Sequence, residues 1–232
     1  MAAQIEFKRV TKTYTRGGEK LIVLDALDFT VATGDFIALM GPSGSGKSTI
    51  LNLAGGLDVP EQGDVLVAGV RVNGLRGSAL AAWRSRHVGF IFQSFNLVPV
   101  LTALENVMLP LNLQPLSKAQ RRQQAEFALE IVGLKDRMNH RPRQLSGGQE
   151  QRVAIARALA TDPDILLADE PTGDLDRASA DAVMELMRRL NEEMKKTILM
   201  VTHDTGAAGK ARRTLRLDKG GLVEALREAA LS

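Results

Sequence analysis

The sequence predicts an α/β fold in which a parallel sheet carries an inserted helical subdomain. Short apolar runs of strand length recur along the chain, and long helical patterns separate the later ones. One run passes directly into a glycine-rich loop and then a helix. In order, IEFKRV (5–10) reads as the first strand and DFIALM (35–40) as a buried one feeding the glycine-rich loop. VGFIFQ (88–93), DILLAD (164–169) and TILMVTH (197–203) follow as further strands. Helical patterns cover 117–132, 146–160 and 177–195. TLRLDKGGLVE reads as a closing hairpin with Gly220-Gly221 at its turn. Residues 94–162 show helices and loops without a strand, between two buried strands. They are expected to form the inserted subdomain, leaving 1–93 and 163–232 as the core of a single domain.

Composition narrows the function classes. The 232 residues are 44% hydrophobic and 25% charged, enough for a packed core and against disorder. A net charge of +3 with 4% aromatic residues suits anionic ligands or a membrane face, and leaves little basis for nucleic-acid binding. Cysteine is absent, which excludes disulfides and thiolate chemistry. No stretch approaches the ~18 apolar residues of a membrane span, and MAAQIEFKRV lacks a signal-peptide core. The chain is therefore expected in the cytosol, and docking on a membrane through a partner stays open.

The strongest chemical signal is DFIALMGPSGSGKSTILNLAGGL. Gly41, Gly46, Lys47 and Ser48 fit G-x-x-x-x-G-K-[ST] in the strand–loop–helix setting that a phosphate cradle needs. Glycines let backbone N–H groups curl around phosphates, Lys47 reaches the outer phosphates, and the Ser48 hydroxyl suits Mg²⁺. Ser43 and Gly44 within the loop and Thr49 in the first helical turn complete the set.

Asp169 and Glu170 close the apolar run DILLADE, at the strand end where ligands of open α/β sheets sit. The pair divides naturally into a metal-binding Asp169 and a general base Glu170. Gln93 and His203 end two other strands and are candidates to face the outer phosphate. Tyr14 is a candidate to stack on a base. His87 and His140 carry no functional reading.

A second anion-site pattern lies at LSGGQEQRVAIARAL (145–159). Ser146 and Gln149 fit a capping box at a helix N-terminus. That box leaves Gly147 and Gly148 unexplained, because glycine weakens a helix unless backbone must approach something closely.

The phosphate loop, Gln93, LSGGQ, LLADEPTGDLD and VTHD occur in one order, and together they resemble the ATPase subunit of ABC transporters over nearly the whole chain. GFIFQSFNLVPVLTALENVMLPL and DEPTGDLD are most similar to the branch for lipoprotein release and macrolide export. The resemblance implies a P-loop NTPase core with a parallel sheet, an N-terminal antiparallel β part and the helical insertion. It implies ATP and Mg²⁺ as cofactors, Tyr14 as the adenine-stacking aromatic, and Gln93 as a residue that touches Mg²⁺ and relays to the membrane subunit. It makes Ser146, Gly147, Gly148 and Gln149 the signature, Asp176 the D-loop aspartate and His203 the switch histidine. Two copies would pack head to tail around two ATPs, each signature covering the other copy's ATP, on the inner face of the membrane. An integral membrane subunit and a periplasmic adaptor are the further partners implied, with docking expected near 94–109. Glu150, where Gln or Arg is more usual, is expected to face away from the phosphate. An ATPase of a cell-division or cell-wall regulatory complex is the alternative output. A nucleotide kinase or GTP switch leaves the signature unexplained, and no N-K-x-D guanine motif is present.

Overall fold

The structure is a computed structural model and describes residues 2–218 and 221–224. Among the described residues, ten strands form two sheets. β1 (Ala3–Arg16), β2 (Glu19–Ala32), β4 (Gln62–Val67) and β5 (Val70–Arg71) form an antiparallel sheet in the order β2-β1-β4-β5. The β1–β2 turn is Gly17-Gly18, both at positive φ (60° and 89°), as a two-residue hairpin turn demands. β3 (Phe36–Met40), β6 (Val88–Phe92), β7 (Ile165–Asp169), β8 (Thr197–Val201), β9 (Arg213–Asp218) and β10 (Gly221–Glu224) form the second sheet, ordered β10-β9-β3-β8-β7-β6. From β9 to β6 every pairing is parallel, and β10 pairs antiparallel with β9. That last pairing is the hairpin expected at the C-terminal end. Its Gly220 lies outside the described residues, which resume at Gly221 opposite Asp218.

Alternation along the parallel strands explains their unbroken apolar runs. Phe36 and Ala38, Leu166 and Ala168, and Ile198 and Met200 face one buried cluster. Ile37 and Leu39, Ile165 and Leu167, and Leu199 and Val201 face another. The sheet is thus buried on both faces. The second cluster is closed by α1 (Lys47–Ala54) and the antiparallel sheet, and takes in Trp83 of α2 (Gly77–His87). The first is closed by α3 (Ala103–Met108), α4 (Lys118–Ile131), α5 (Gly147–Leu159), α6 (Arg177–Glu192) and the short α7 (Thr205–Ala208).

Between 94 and 162 the chain contains α3, α4, α5 and short 3-10 turns, with no strand. Its buried side chains, such as Val107, Leu129 and Ile155, share the cluster under the sheet rather than enclosing a core of their own. α5 lies directly against β6: a Cβ on Gly89 would sit 2.4 Å from the carbonyl oxygen of Ala158. α6 stops at Glu192, short of the expected 195, because Asn191 turns its amide back onto the carbonyls of Lys196 and Gly34, and Lys195 is left-handed (φ 56°). β2, β4, β5, α2 and α3 were not expected individually.

Candidate active site

A cleft of about 500 Å³ opens at the carboxyl edge of the parallel sheet. The loop after β3 forms its floor, with Gly41, Ser43, Gly44, Gly46, Lys47, Ser48 and Thr49 all lining it. Asp169, Glu170, Val201 and His203 form one wall, and Tyr14, Leu21 and Val23 of the antiparallel sheet form the other.

Two glycines of the loop are required by their surroundings. Gly46 caps α1 at φ 102°, and a Cβ there would meet Val23 Cγ1 at 2.8 Å. A Cβ on Gly41 would meet the Leu217 carbonyl oxygen at 2.4 Å. The first turn of α1 holds no acidic residue, so its N-terminal N–H groups present an uncompensated positive dipole end. Lys47 Nζ donates to the carbonyls of Gly41 and Pro42, at 2.8 and 2.9 Å, which holds the ammonium across the loop.

Asp169 is the last residue of β7, and its Oδ1 accepts from the Ser48 hydroxyl at 3.3 Å. Burial pushes its carboxyl above the usual range, opposed by the Ser48 hydroxyl; the Glu170 charge adds to the rise and Lys47 opposes it. Glu170 sits in the left-handed region (φ 49°), an unusual conformation for a non-glycine residue. Its N–H donates to the Val201 carbonyl at 2.9 Å, which anchors the turn to the neighbouring strand. Its Oε2 accepts from the backbone N–H of His203 (3.3 Å) and lies 2.9 Å from His203 Nδ1. That bond, reinforced by the carboxylate's charge, raises the His203 pKa above its ordinary value. β8 ends at Val201, so His203 reaches Glu170 from the following loop rather than from the strand.

Other expected residues lie outside this cleft. Gln93, just past β6, donates from Nε2 to Asp174 Oδ1 at 2.9 Å and packs over Gly173. Ser146 and Gln149 make the capping box of α5: Ser146 Oγ accepts from Gln149 N–H, and Ser146 N–H donates to Gln149 Oε1. Gly148 has a reason inside the chain. A Cβ there would lie 2.7 Å from Ser179 Oγ on α6, so the close approach expected from the glycine pair is, at this position, to a neighbouring helix. Asp176 caps α6, accepting from Ser179 N–H (3.0 Å) and Oγ–H (2.6 Å). Those bonds hold its carboxyl below the usual range. Gly147 is exposed, and a Cβ there meets only ordinary contacts, 3.6 Å from Leu175. Glu150 is half-buried, and burial raises its pKa.

Sequence reasoning missed Leu21 and Val23 because β2 was missed. It also missed Lys12 and Asp58 around Tyr14, and Asp174. The tight Gly17-Gly18 pair between two strand-like runs was the available signal for β2.

A phosphate loop beneath a strand-end carboxylate pair, on a doubly buried parallel sheet, defines a P-loop nucleoside-triphosphatase. Residues 24–173 match the family model described as ABC transporter, and the chain belongs to that family as an ATP-binding subunit with ATPase activity. An ABC transporter ATP-binding protein of Methanocaldococcus jannaschii, MJ0796, is 48% identical over 224 residues, covering 95% of each chain. The lipoprotein-releasing system ATP-binding protein LolD of Xanthomonas campestris is 46% identical, over 96% of this chain and 93% of LolD. The macrolide export ATP-binding/permease protein MacB of Rhodopirellula baltica is 46% identical over 97% of this chain but 33% of its own length, so the chain spans a third of MacB. A dimeric post-hydrolysis structure of MJ0796 bound to ADP and Pi superposes with a TM-score of 0.87 at 45% identity, covering 95% of this chain and 97% of that one.

The His203–Glu170 pair gives a pH test. The His203 pKa is raised in the folded protein, so the pair's contribution to stability is complete below about 6.5 and fades as pH rises through the folded pKa. NMR titration should place the His203 midpoint above the ordinary histidine value of about 6.5, and Glu170→Gln should lower it. A midpoint unmoved by Glu170→Gln would show that the pair does not exist in solution.

Proposed function

We propose that the chain is one half of an ATP-driven dimer in which two copies pack head to tail around two ATP molecules. The observation that carries the hydrolytic step is Glu170, held on its strained turn by Val201 and oriented by His203 beside the phosphate loop. In this reading Gly41, Ser43, Gly44, Gly46, Lys47 and Thr49 hold the phosphates, Tyr14 stacks on adenine, and Glu170 takes the proton of the attacking water. His203 fixes the direction of that carboxylate.

The residues fit a magnesium ion. Ser48 Oγ and Asp169 Oδ1 are adjacent hard-oxygen donors, and the half-buried Asp169 next to Glu170 leaves negative charge that a cation offsets. Among the described residues no group of three His, Cys, Asp or Glu can hold a metal alone, which suits an ion shared with substrate phosphates. When bound, it supplies charge neutralisation at those phosphates. Gln93 is engaged by Asp174 here, so Ser48 and Asp169 are the better-supported ligands.

The relatives' names give the class of work: LolD serves lipoprotein release and MacB macrolide export. We assign this chain to the same class, driving a membrane subunit from the inner face of the membrane. Exposed Val98 and Val100, in the loop after Gln93, support docking there. Cysteines introduced at 98 and 100 should crosslink to a co-expressed membrane subunit, and the absence of any crosslink there would rule out this docking site.

Glu170→Gln keeps side-chain size but removes the base. Turnover should fall roughly 10²- to 10⁴-fold while ATP binding persists, and ATP should then hold the dimer together. Phosphate release and light scattering measure both, and near-normal turnover would remove Glu170 from the mechanism.

The shared site is tested with Gly147→Asp, a substitution that α5 accommodates and its helix dipole favours, but which sets a carboxylate on the exposed signature. Gly148→Asp is unsuitable, because it would collide with Ser179 of its own chain. Lys47→Ala removes a charged phosphate contact. If the signature serves the opposite copy, mixing the two variants creates one intact site and one doubly defective site. Purified mixed dimers should then trap ATP that neither parent traps, and equal trapping would reject the head-to-tail arrangement.

A further inference from the structure

The chain's single tyrosine walls the nucleotide cleft, and groups outside the hydrolytic machinery hold it there. The Tyr14 hydroxyl donates to Asp58 Oδ2 at 2.7 Å and lies 3.5 Å from Thr49 Oγ1. The other Asp58 oxygen accepts from Lys12 Nζ at 2.8 Å and from the Val59 N–H at 2.7 Å. Only 8% of the Lys12 side chain is exposed, a position that is costly for an ammonium without partners. It has several: Asp58, the Val59 carbonyl at 2.8 Å and Glu61 at 3.4 Å. The same ammonium lies over the Tyr14 ring, 5.0 Å from its centroid.

The ring is therefore fixed twice, at its hydroxyl by a carboxylate and on one face by a cation. Only the opposite face is left for a ligand. The charges are consistent with this. Burial pushes Asp58 up, but the bonds from Lys12, Tyr14 and Val59 outweigh it and hold the carboxyl below its usual range. Burial pulls Lys12 down, and Asp58 and Glu61 more than restore it. Burial raises the Tyr14 phenol, Thr49 opposes the rise, and the Asp58 carboxylate adds to it.

We infer that Asp58, backed by Lys12, is a positioning residue for the nucleotide base: it locks the Tyr14 ring so that one face is presented to the cleft before ligand arrives. The inference rests on the assignment of Tyr14 as the stacking residue. A ring already immobilised loses little freedom when a base stacks on it, so the benefit falls on affinity rather than on the chemical step.

With one tyrosine in the chain, alkaline titration of phenolate absorbance reads Tyr14 alone. Asp58→Asn should lower that midpoint, weaken ADP binding about 2- to 10-fold by calorimetry, and raise KM for ATP while leaving kcat unchanged. Tyr14→Phe removes the same bond from the other end without unpairing Lys12. It should weaken ADP binding similarly, a match that misfolding of Asp58→Asn would not produce. An unchanged phenol midpoint in Asp58→Asn, or unchanged ADP affinity in both variants, overturns the inference. Tyr14→Ala separates the two ideas. Weak ADP binding in Tyr14→Ala alone rejects Asp58 and keeps Tyr14. Normal binding in Tyr14→Ala rejects the stacking assignment and the inference together.

Discussion

The register of β3, β8, β7 and β6 brings four strand ends level. Leu39 and Asp169 both pair with Val201, and Phe92 pairs with Asp169. Adjacent strands lie about 4.8 Å apart, so the phosphate loop, His203, Glu170 and Gln93 all leave the sheet along one short edge. The parallel ladder is stable because both faces are buried, one under helices and one under α1 and the antiparallel sheet. A slip of one residue in β7 would send Leu167 to the wrong face and move Asp169 off the edge. Packing and chemistry thus rest on the same register.

The parts of this design that were legible in the sequence are those where backbone chemistry restricts residue choice. A loop that curls around phosphate needs glycine, and Gly41 and Gly46 have no room for a Cβ. A strand buried on both faces must be apolar throughout, so β3, β6, β7 and β8 stood out. β2 did not. It carries Asp25 and Asp28 on its exposed side and is interrupted at Ala26, which is left-handed (φ 44°). With it went Leu21 and Val23 of the cleft wall. α2 buries Trp83 and little else, and so shows no apolar stripe. Pairings distant in the chain were illegible for a different reason. Lys12 and Asp58 are 46 residues apart, and Gln93 and Asp174 are 81 apart, so nothing local marks either pair.

Ser179 joins two motifs that look independent in the sequence. Asp176 grips its N–H and hydroxyl, and Gly148 packs against its side chain without the space of one methyl group. The start of α6 and the first turn of α5 are therefore in direct contact. The segment that leads from Glu170 into α6 is thus packed directly against the signature turn, with little free space between them. This gives a short path of packed contacts, within one copy, between the turn at Glu170 and the exposed turn at Gly147.

The left-handed turn at Glu170 bears on how this sequence can drift. At φ 49° a glycine is at ease and asparagine is tolerated, whereas a glutamate holds the backbone there at a cost of about 1–2 kcal/mol. Mutation toward glycine at this position relieves the backbone while deleting the carboxylate. Backbone ease at position 170 and the carboxylate's bonds to His203 therefore pull residue choice in opposite directions. A glycine there would relax the turn but leave His203 without its carboxylate partner, so the strained glutamate persists only where that carboxylate is needed.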